Sequence, residues 1–131
     1  MCMVKDIILI ENYKSQNSSI NKHSFIVLTD ECGEIRGLPY DLICNVMSSF
    51  KSEEQKRKKL KYAGNFPITA QDTLVIYGNR KPGYIKADQL YYFKKSKISY
   101  RVIGKINDDV YKQLLEHIAS LDSFEDIIDN L

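Results

Sequence analysis

The chain has 131 residues and a mass of 15.2 kDa; 44% of the residues are hydrophobic and 27% charged, and the formal net charge is +2. That length makes about one domain with a self-sufficient core. The composition excludes a disordered tail, a fibrous repeat and a disulfide-stapled miniprotein.

Apolar runs such as Ile7 to Ile10 and Phe25 to Leu28 stop at four residues, far short of the ~18 that a membrane span needs. The start, Met1-Cys2-Met3-Val4-Lys5-Asp6, has neither a basic stretch nor a small-residue cleavage site, so no signal peptide is expected. Cys2, Cys32 and Cys44 are an odd number with no C-x-x-C spacing. They are read as free thiols of a reducing cytosol. With only His23 and His117 to join them, no metal site is expected, and no cofactor.

Val4 to Ile10 is β-branched and apolar and reads as a strand. Glu11 to Lys22 is polar and rich in Asn and Ser, the composition of a long loop. Ser24 to Thr29 is a second strand, and Asp30 to Pro39, with Gly33 and Gly37, is a turn region. Leu42 to Ser49 is apolar enough for a strand buried on both faces. Ser52 to Tyr62 reads as a short basic helix, with Ser52 as its N-cap and Glu53 and Glu54 suiting the dipole. Asn65 to Thr69 and Gly83 to Lys86 are short strands, while Ala87 to Leu90 is expected to be one helical turn. Gln71 to Pro82 matches no pattern.

Tyr91 to Phe93 and Tyr100 to Ile106 return to strand. Asn107 then caps a helix whose apolar stripe is Val110, Leu114, Leu115, Ile118 and Leu121, at the 3.6-residue period. Ser123 with Asp126 has the form of a capping box opening a last short helix. With no linker or repeat, the chain reads as a single domain: a barrel over about residues 4–106, then helices over about 107–130. Many short strands followed by helix predict a small, mostly antiparallel β-barrel or curled sheet carrying a C-terminal helix, a mainly β fold with some α.

Charge is unevenly spread. Lys51, Lys56, Arg57, Lys58, Lys59 and Lys61 fall within eleven residues, whereas Asp122, Glu125, Asp126 and Asp129 make the C-terminus acidic. A basic block fits a polyanion partner, although such runs are also common on solvated helix faces. Asn45, in an apolar strand, is read as a hydrogen-bonded structural residue. Tyr84, Tyr91, Tyr92 and Phe93 are expected in the core or a dimer interface, and His117 is expected to pack beside the helical stripe.

Five segments, in order, resemble the MazF/PemK family of bacterial toxins. Lys5-Asp6-Ile7-Ile8-Leu9-Ile10 resembles the family's opening G-D-I-V-x-V strand. Lys22-His23-Ser24-Phe25-Ile26-Val27-Leu28 stands where the family has R-P-x-L-V-I, and Val46-Met47-Ser48-Ser49 where it has I-T-S/A. Tyr84 to Leu90 followed by Lys94 to Ile98 resembles S-x-V-x-x-x-Q-I-R-x-x-D-K-x-R-L, and Ile103-Gly104-Lys105-Ile106 with Asp108 and Asp109 resembles the I-G-x-L-x-D/E ending. The resemblance runs from Lys5 to about Leu121.

The resemblance implies an SH3-like barrel, a homodimer and a bacterial cytoplasmic endoribonuclease that cuts single-stranded RNA without metal. In that reaction the ribose 2′-hydroxyl attacks the adjacent phosphate and leaves 2′,3′-cyclic phosphate and 5′-hydroxyl ends. The chemistry needs a base, an acid and donors facing the phosphorane charge. The family's Thr falls at Ser48, which keeps the hydroxyl. Its Arg falls at Lys22-His23, and neither residue repeats a bidentate guanidinium grip. His23 is therefore expected to move protons and Ser48 to donate to phosphate, with Lys14, Lys22, Arg36, Ser49 and Lys51 contacting substrate. Gln71 and Lys86 could also face the groove and stand outside this set. The resemblance also implies an antitoxin whose acidic, disordered segment would compete for the groove. Without the Arg, the same barrel can instead be an inactive module that binds RNA or protein, or an interaction protein whose groove is vestigial.

Overall fold

The computed structural model describes the backbone of residues 2–14, 20–75 and 82–131, and side chains over 2–14, 23–74 and 82–131. Over these residues the chain folds as a mainly antiparallel, barrel-like β structure with two α-helices. Its strands are β1 (Asp6–Lys14), β2 (Ile20–Thr29), β3 (Gly33–Ile35), β4 (Leu38–Tyr40) and β5 (Leu42–Ser49). After α1 (Glu53–Lys59) come β6 (Asn65–Ile68), β7 (Thr73–Val75), β8 (Gly83–Lys86), β9 (Gln89–Phe93) and β10 (Tyr100–Ile106). The helix α2 (Asp108–Ala119) and a last strand, β11 (Glu125–Ile127), complete the chain.

The main sheet runs β11-β9-β5-β2-β1-β10-β7, with β8 alongside β5 and β6 outside β8. β5 is shared. Leu42–Cys44 pairs with β9 and Met47–Ser49 with β8, both antiparallel. Asn45 sits at the parting of these two partners, fully buried, and its Nδ2 donates to the carbonyls of Lys86 (3.2 Å) and Gln89 (2.9 Å). It thereby satisfies carbonyls where the ladder breaks, the structural role expected of it.

Each face of the sheet covers its own core, which is why the strands read as apolar runs rather than simple alternation. Ile8, Ile10, Phe25, Val27, Leu42, Cys44, Val46, Tyr91 and Phe93 fill the inner core. The sheet curls until distant strands meet there, as Tyr13 of β1 does with Tyr91 of β9 (6.0 Å between ring centroids). Ile26, Ile68, Ile85, Ala87 and Ile106 form the second core, closed by Val110 and Leu114 of α2. Tyr111 anchors that helix by donating from its hydroxyl to the Leu28 carbonyl, 2.9 Å. Leu115, counted in the apolar stripe, is 42% exposed instead.

Several expectations need correction. The first strand opens at Asp6, after Lys5 in the left-handed region (φ 76°). Much of the expected Glu11–Lys22 loop is strand, because β1 extends to Lys14 and β2 begins at Ile20; 15–19 lie outside the described residues. The Asp30–Pro39 turn region holds a hairpin, β3–β4, whose turn residues Arg36 and Gly37 both have positive φ (52° and 80°), the geometry of a type I′ turn. Ala87 to Leu90 is not helical. Ala87 and Asp88 turn the chain and Gln89 starts β9, because pairing with β5 and β11 outweighs local propensity.

Ser123 and Asp126 open no helix, so the helical region ends with α2 rather than extending to 130. Glu125–Ile127 pairs in parallel with β9, Ile127 packs on the inner core and Asp126 accepts from the Tyr92 hydroxyl (3.0 Å). Asn107 is the N-cap of α2, but its side chain turns away and donates to the Gln71 carbonyl (2.8 Å). The unassigned Gln71–Pro82 contributes β7; 76–81 lie outside the described residues.

Candidate functional site

The inner core does not reach the ends of its strands, and polar side chains follow the apolar ones there on the same face. Alternation along β2 puts His23 on the face of Phe25 and Val27, and along β5 it puts Ser48 on the face of Cys44 and Val46. Register aligns the strands. Ser24 pairs with Met47 and Met47 with Ile85 on the opposite face, while Ser48 pairs with Tyr84. His23, Ser48, Tyr84 and Lys86 therefore share one face across β2, β5 and β8.

His23 is partly buried. Its ring stands edge-on to Tyr13 (4.8 Å between centroids, 68°) and lies 6.3 Å from Phe25. Burial first, and then the Lys86 ammonium, hold the imidazole below its ordinary value of 6.5. It is therefore neutral near pH 7 and able to accept a proton. Tyr13 is wedged against Phe25 and Tyr91, and burial raises the hydroxyl pKa of both tyrosines. The Tyr91 hydroxyl donates to Gln89 Oε1 (3.0 Å), and Gln89 Nε2 contacts Glu125 Oε2 (3.5 Å), extending a polar rim from the aromatic pair to β11.

Gly83 sets the approach of β8 to β5. A Cβ there would come within 2.1 Å of the Ser48 carbonyl and 3.1 Å of the Ser49 Cα, so only glycine lets the two strands meet beside Ser48. Beyond Ser48, the Phe50 ring lies against Tyr84 (5.2 Å, 31°), and Lys56 Nζ lies 5.8 Å over the Phe50 ring.

The remaining residues expected at the site divide. Lys22 is the β2 neighbour of His23, and its side chain lies outside the described residues. Ser49 is exposed at the end of β5, on the face opposite Ser48. Lys51 is exposed just before α1, its amide donating to Gln55 Oε1 (2.6 Å). Lys14 stands at the tip of β1, beyond Tyr13, where Asn130 clasps its backbone (2.9 and 3.1 Å). Arg36 is apart. Its hairpin rests on Tyr92 through Tyr40, and Tyr92 pairs with Ile43. Five residues of β5, about 17 Å of strand, separate that end from Ser48.

Lys86, Tyr13 and Tyr84 belong to the face but not to the expected set. The alternation Tyr84-Ile85-Lys86 is the signal for two of them, since its outer members share a face once Ile85 lies in the second core. Tyr91 and Phe93 are inner-core residues, as expected of that aromatic cluster. His117 packs, with Nε2 on the Ala63 carbonyl (2.7 Å) and its ring by Phe66 (5.4 Å). Among the described residues, surface concavities lie elsewhere. One, of about 420 Å³, is lined by residues including Cys32, Tyr40 and Lys94; another, of about 340 Å³, by Tyr62, Asp88 and Asp122 among others. Among the described residues no His, Cys, Asp or Glu cluster has a metal-binding arrangement, and no helix is long and apolar enough to cross a membrane. Cys2 and Cys44 are buried free thiols, and Cys32 is an exposed one.

No protein-family model and no curated protein matches the chain. The arrangement on this face is a proton acceptor, a hydroxyl donor and a cation beside an aromatic rim. That combination can bind a phosphodiester and exchange protons with it.

Proposed function

We propose that the chain is a toxin-like endoribonuclease of the MazF/PemK kind, acting on single-stranded RNA at the His23–Ser48–Lys86 face. What supports this reading is that the two residues expected to do the chemistry, His23 and Ser48, occupy neighbouring strands on one face, both partly exposed, with Lys86 beside them. In the proposed reaction the neutral His23 imidazole takes the proton of the ribose 2′-hydroxyl. The 2′-oxygen attacks phosphorus, and the bond to the 5′-oxygen breaks. The Ser48 hydroxyl and Lys86 ammonium face the developing phosphorane charge, and Lys86 supplies the proton to the departing 5′-oxygen. The products are a 2′,3′-cyclic phosphate and a 5′-hydroxyl. Lys86 takes over the charge that the family assigns to an Arg. The reading carries with it a bacterial cytoplasmic setting, a homodimer and an acidic antitoxin segment as competitor.

A second reading is favoured by one observation, the Lys22-His23 pair where the family's Arg would stand. In it the barrel binds RNA without cutting. Incubation with a long single-stranded RNA in EDTA, followed by end mapping, separates the two. Discrete cuts bearing cyclic phosphate, lost in His23→Ala and reduced at least about 100-fold in Lys86→Met, are expected. Cuts that persist in His23→Ala remove His23 from its role. Binding without any cuts selects the second reading.

A further inference from the structure

Residues 51–61 carry six cations against two carboxylates, a net +4 in a chain whose total is +2. The rest of the molecule sums to a net negative charge, although Lys94, Lys95, Lys97, Arg101 and Lys105 make a second basic stretch with no carboxylate in it. α1 and its flanks form the basic pole next to the His23–Ser48 face. No residue of α1 is buried, so its side chains serve no core. The helix is held by polar hooks instead. Ser52 caps it by accepting from the Gln55 amide (3.1 Å), and Asn65 Nδ2 donates to the Lys59 carbonyl (2.8 Å). Among the described residues only Glu54 pairs with one of these cations, at 3.4 Å from Lys58, with both side chains exposed and the contact screened by solvent.

The pole adjoins the face described above. β5 leads from Ser48 through Ser49, Phe50 and Lys51 directly into the helix. Phe50 bridges the two, lying against Tyr84, the cross-strand partner of Ser48, and beneath Lys56. An RNA strand crossing His23, Ser48 and Tyr84 toward Phe50 arrives at Lys56 and at the helix that also carries Arg57, Lys58 and Lys59.

We infer that α1 is a second phosphate-binding surface, holding the single-stranded RNA that runs off the His23–Ser48–Lys86 face past Phe50. This rests on the proposed function for its substrate and extends it to affinity and length. The helix contacts no reacting atom. It raises affinity for long strands through counterion release and leaves short ones alone.

The test compares the wild-type chain with a variant in which Lys56, Arg57, Lys58 and Lys59 are all replaced by Gln, which preserves helix propensity. The probes are random-sequence single-stranded RNAs of about five and about 25 nucleotides, a range spanning typical site sizes. Binding is measured against salt, cleavage in parallel, and circular dichroism checks the fold. For the long RNA, affinity at low salt is expected to fall about tenfold or more in the variant. The slope of log K against log salt should shrink by about 0.7 for each cation that had met a phosphate. Binding and cutting of the short RNA are expected to stay unchanged. Single Lys56→Gln and Lys59→Gln changes, each shrinking the slope by its own share, keep the test open should the fourfold variant misfold.

RNA that is cut by both proteins with equal long-strand affinity and slope overturns the α1 assignment and leaves the ribonuclease standing. Long RNA bound through α1 but never cut does the reverse. Retention on polyglutamate with none on RNA assigns the helix to an acidic protein partner and overturns the inference.

Discussion

His23 draws its properties from position. The same residue on a solvated loop would titrate near 6.5, whereas at the open end of the inner core it loses water and faces the Lys86 cation. Unfolded, the imidazole returns to its ordinary value. Between the lower folded value and 6.5 the unfolded chain therefore holds more protons. Stability contributed by this group is complete above about 6.5 and is lost as pH falls through the folded value. Urea unfolding between about pH 5 and 7.5 should show that slope, and His23→Gln should flatten it. Replacement of Lys86 by Met should raise the His23 midpoint toward 6.5 without reaching it, because burial is the larger cause; the imidazole proton shift in NMR reads this directly. The sequence points to His23 and Ser48 through the resemblance, and the register sets the two on one face. Lys86 was not selected, because a lone Lys in a strand looks like any solvated Lys until the register places it.

Elements obeyed local sequence where neighbours agreed and departed from it where they did not. The strands Leu42–Ser49, Gly83–Lys86 and Tyr100–Ile106 form over the residues expected. So does the Ser52 cap of α1. The C-terminus shows the opposite. Ser123 and Asp126 have capping-box chemistry, but the free edge of β9 offers a ladder, Tyr92 takes the Asp126 carboxylate and the inner core takes Ile127. Burial first, and then that carboxylate, push the Tyr92 hydroxyl up to about 12. Asn130 then closes the strap on the Lys14 backbone with two hydrogen bonds. Asn130→Ala should cost about 1 kcal/mol and removal of 123–131 about 2–3 kcal/mol, since Ile127 burial goes as well. Urea midpoints at constant m-value check both. A deletion without effect would make the strap an ornament of the fold.

The two cores share one sheet, so neither can be lost alone. Phe25 lies in the inner core and Leu114 in the second, both fully buried. Phe25→Ala and Leu114→Ala should destabilise by about 3–5 and 2–5 kcal/mol respectively. Each should move a single transition, with tyrosine fluorescence and far-ultraviolet circular dichroism coinciding. Separate transitions would divide the chain into two units and end the single-domain reading. The uneven charge of the molecule is also a whole-chain property, since +2 conceals a basic helix following β5 and an acidic strap running along β9.

By itself the sequence determined the mainly β class, the long helix, the basic helix with its cap, and the doubly buried central strand. These follow from periodicity, β-branching and capping, which act over a few residues. Only the tertiary structure decided the split pairing of β5 with its Asn45 latch, the parallel β11, and the meeting of His23, Ser48 and Lys86. Those depend on register between strands far apart in the chain. A one-residue slip would turn every side chain to the other face without changing any local pattern.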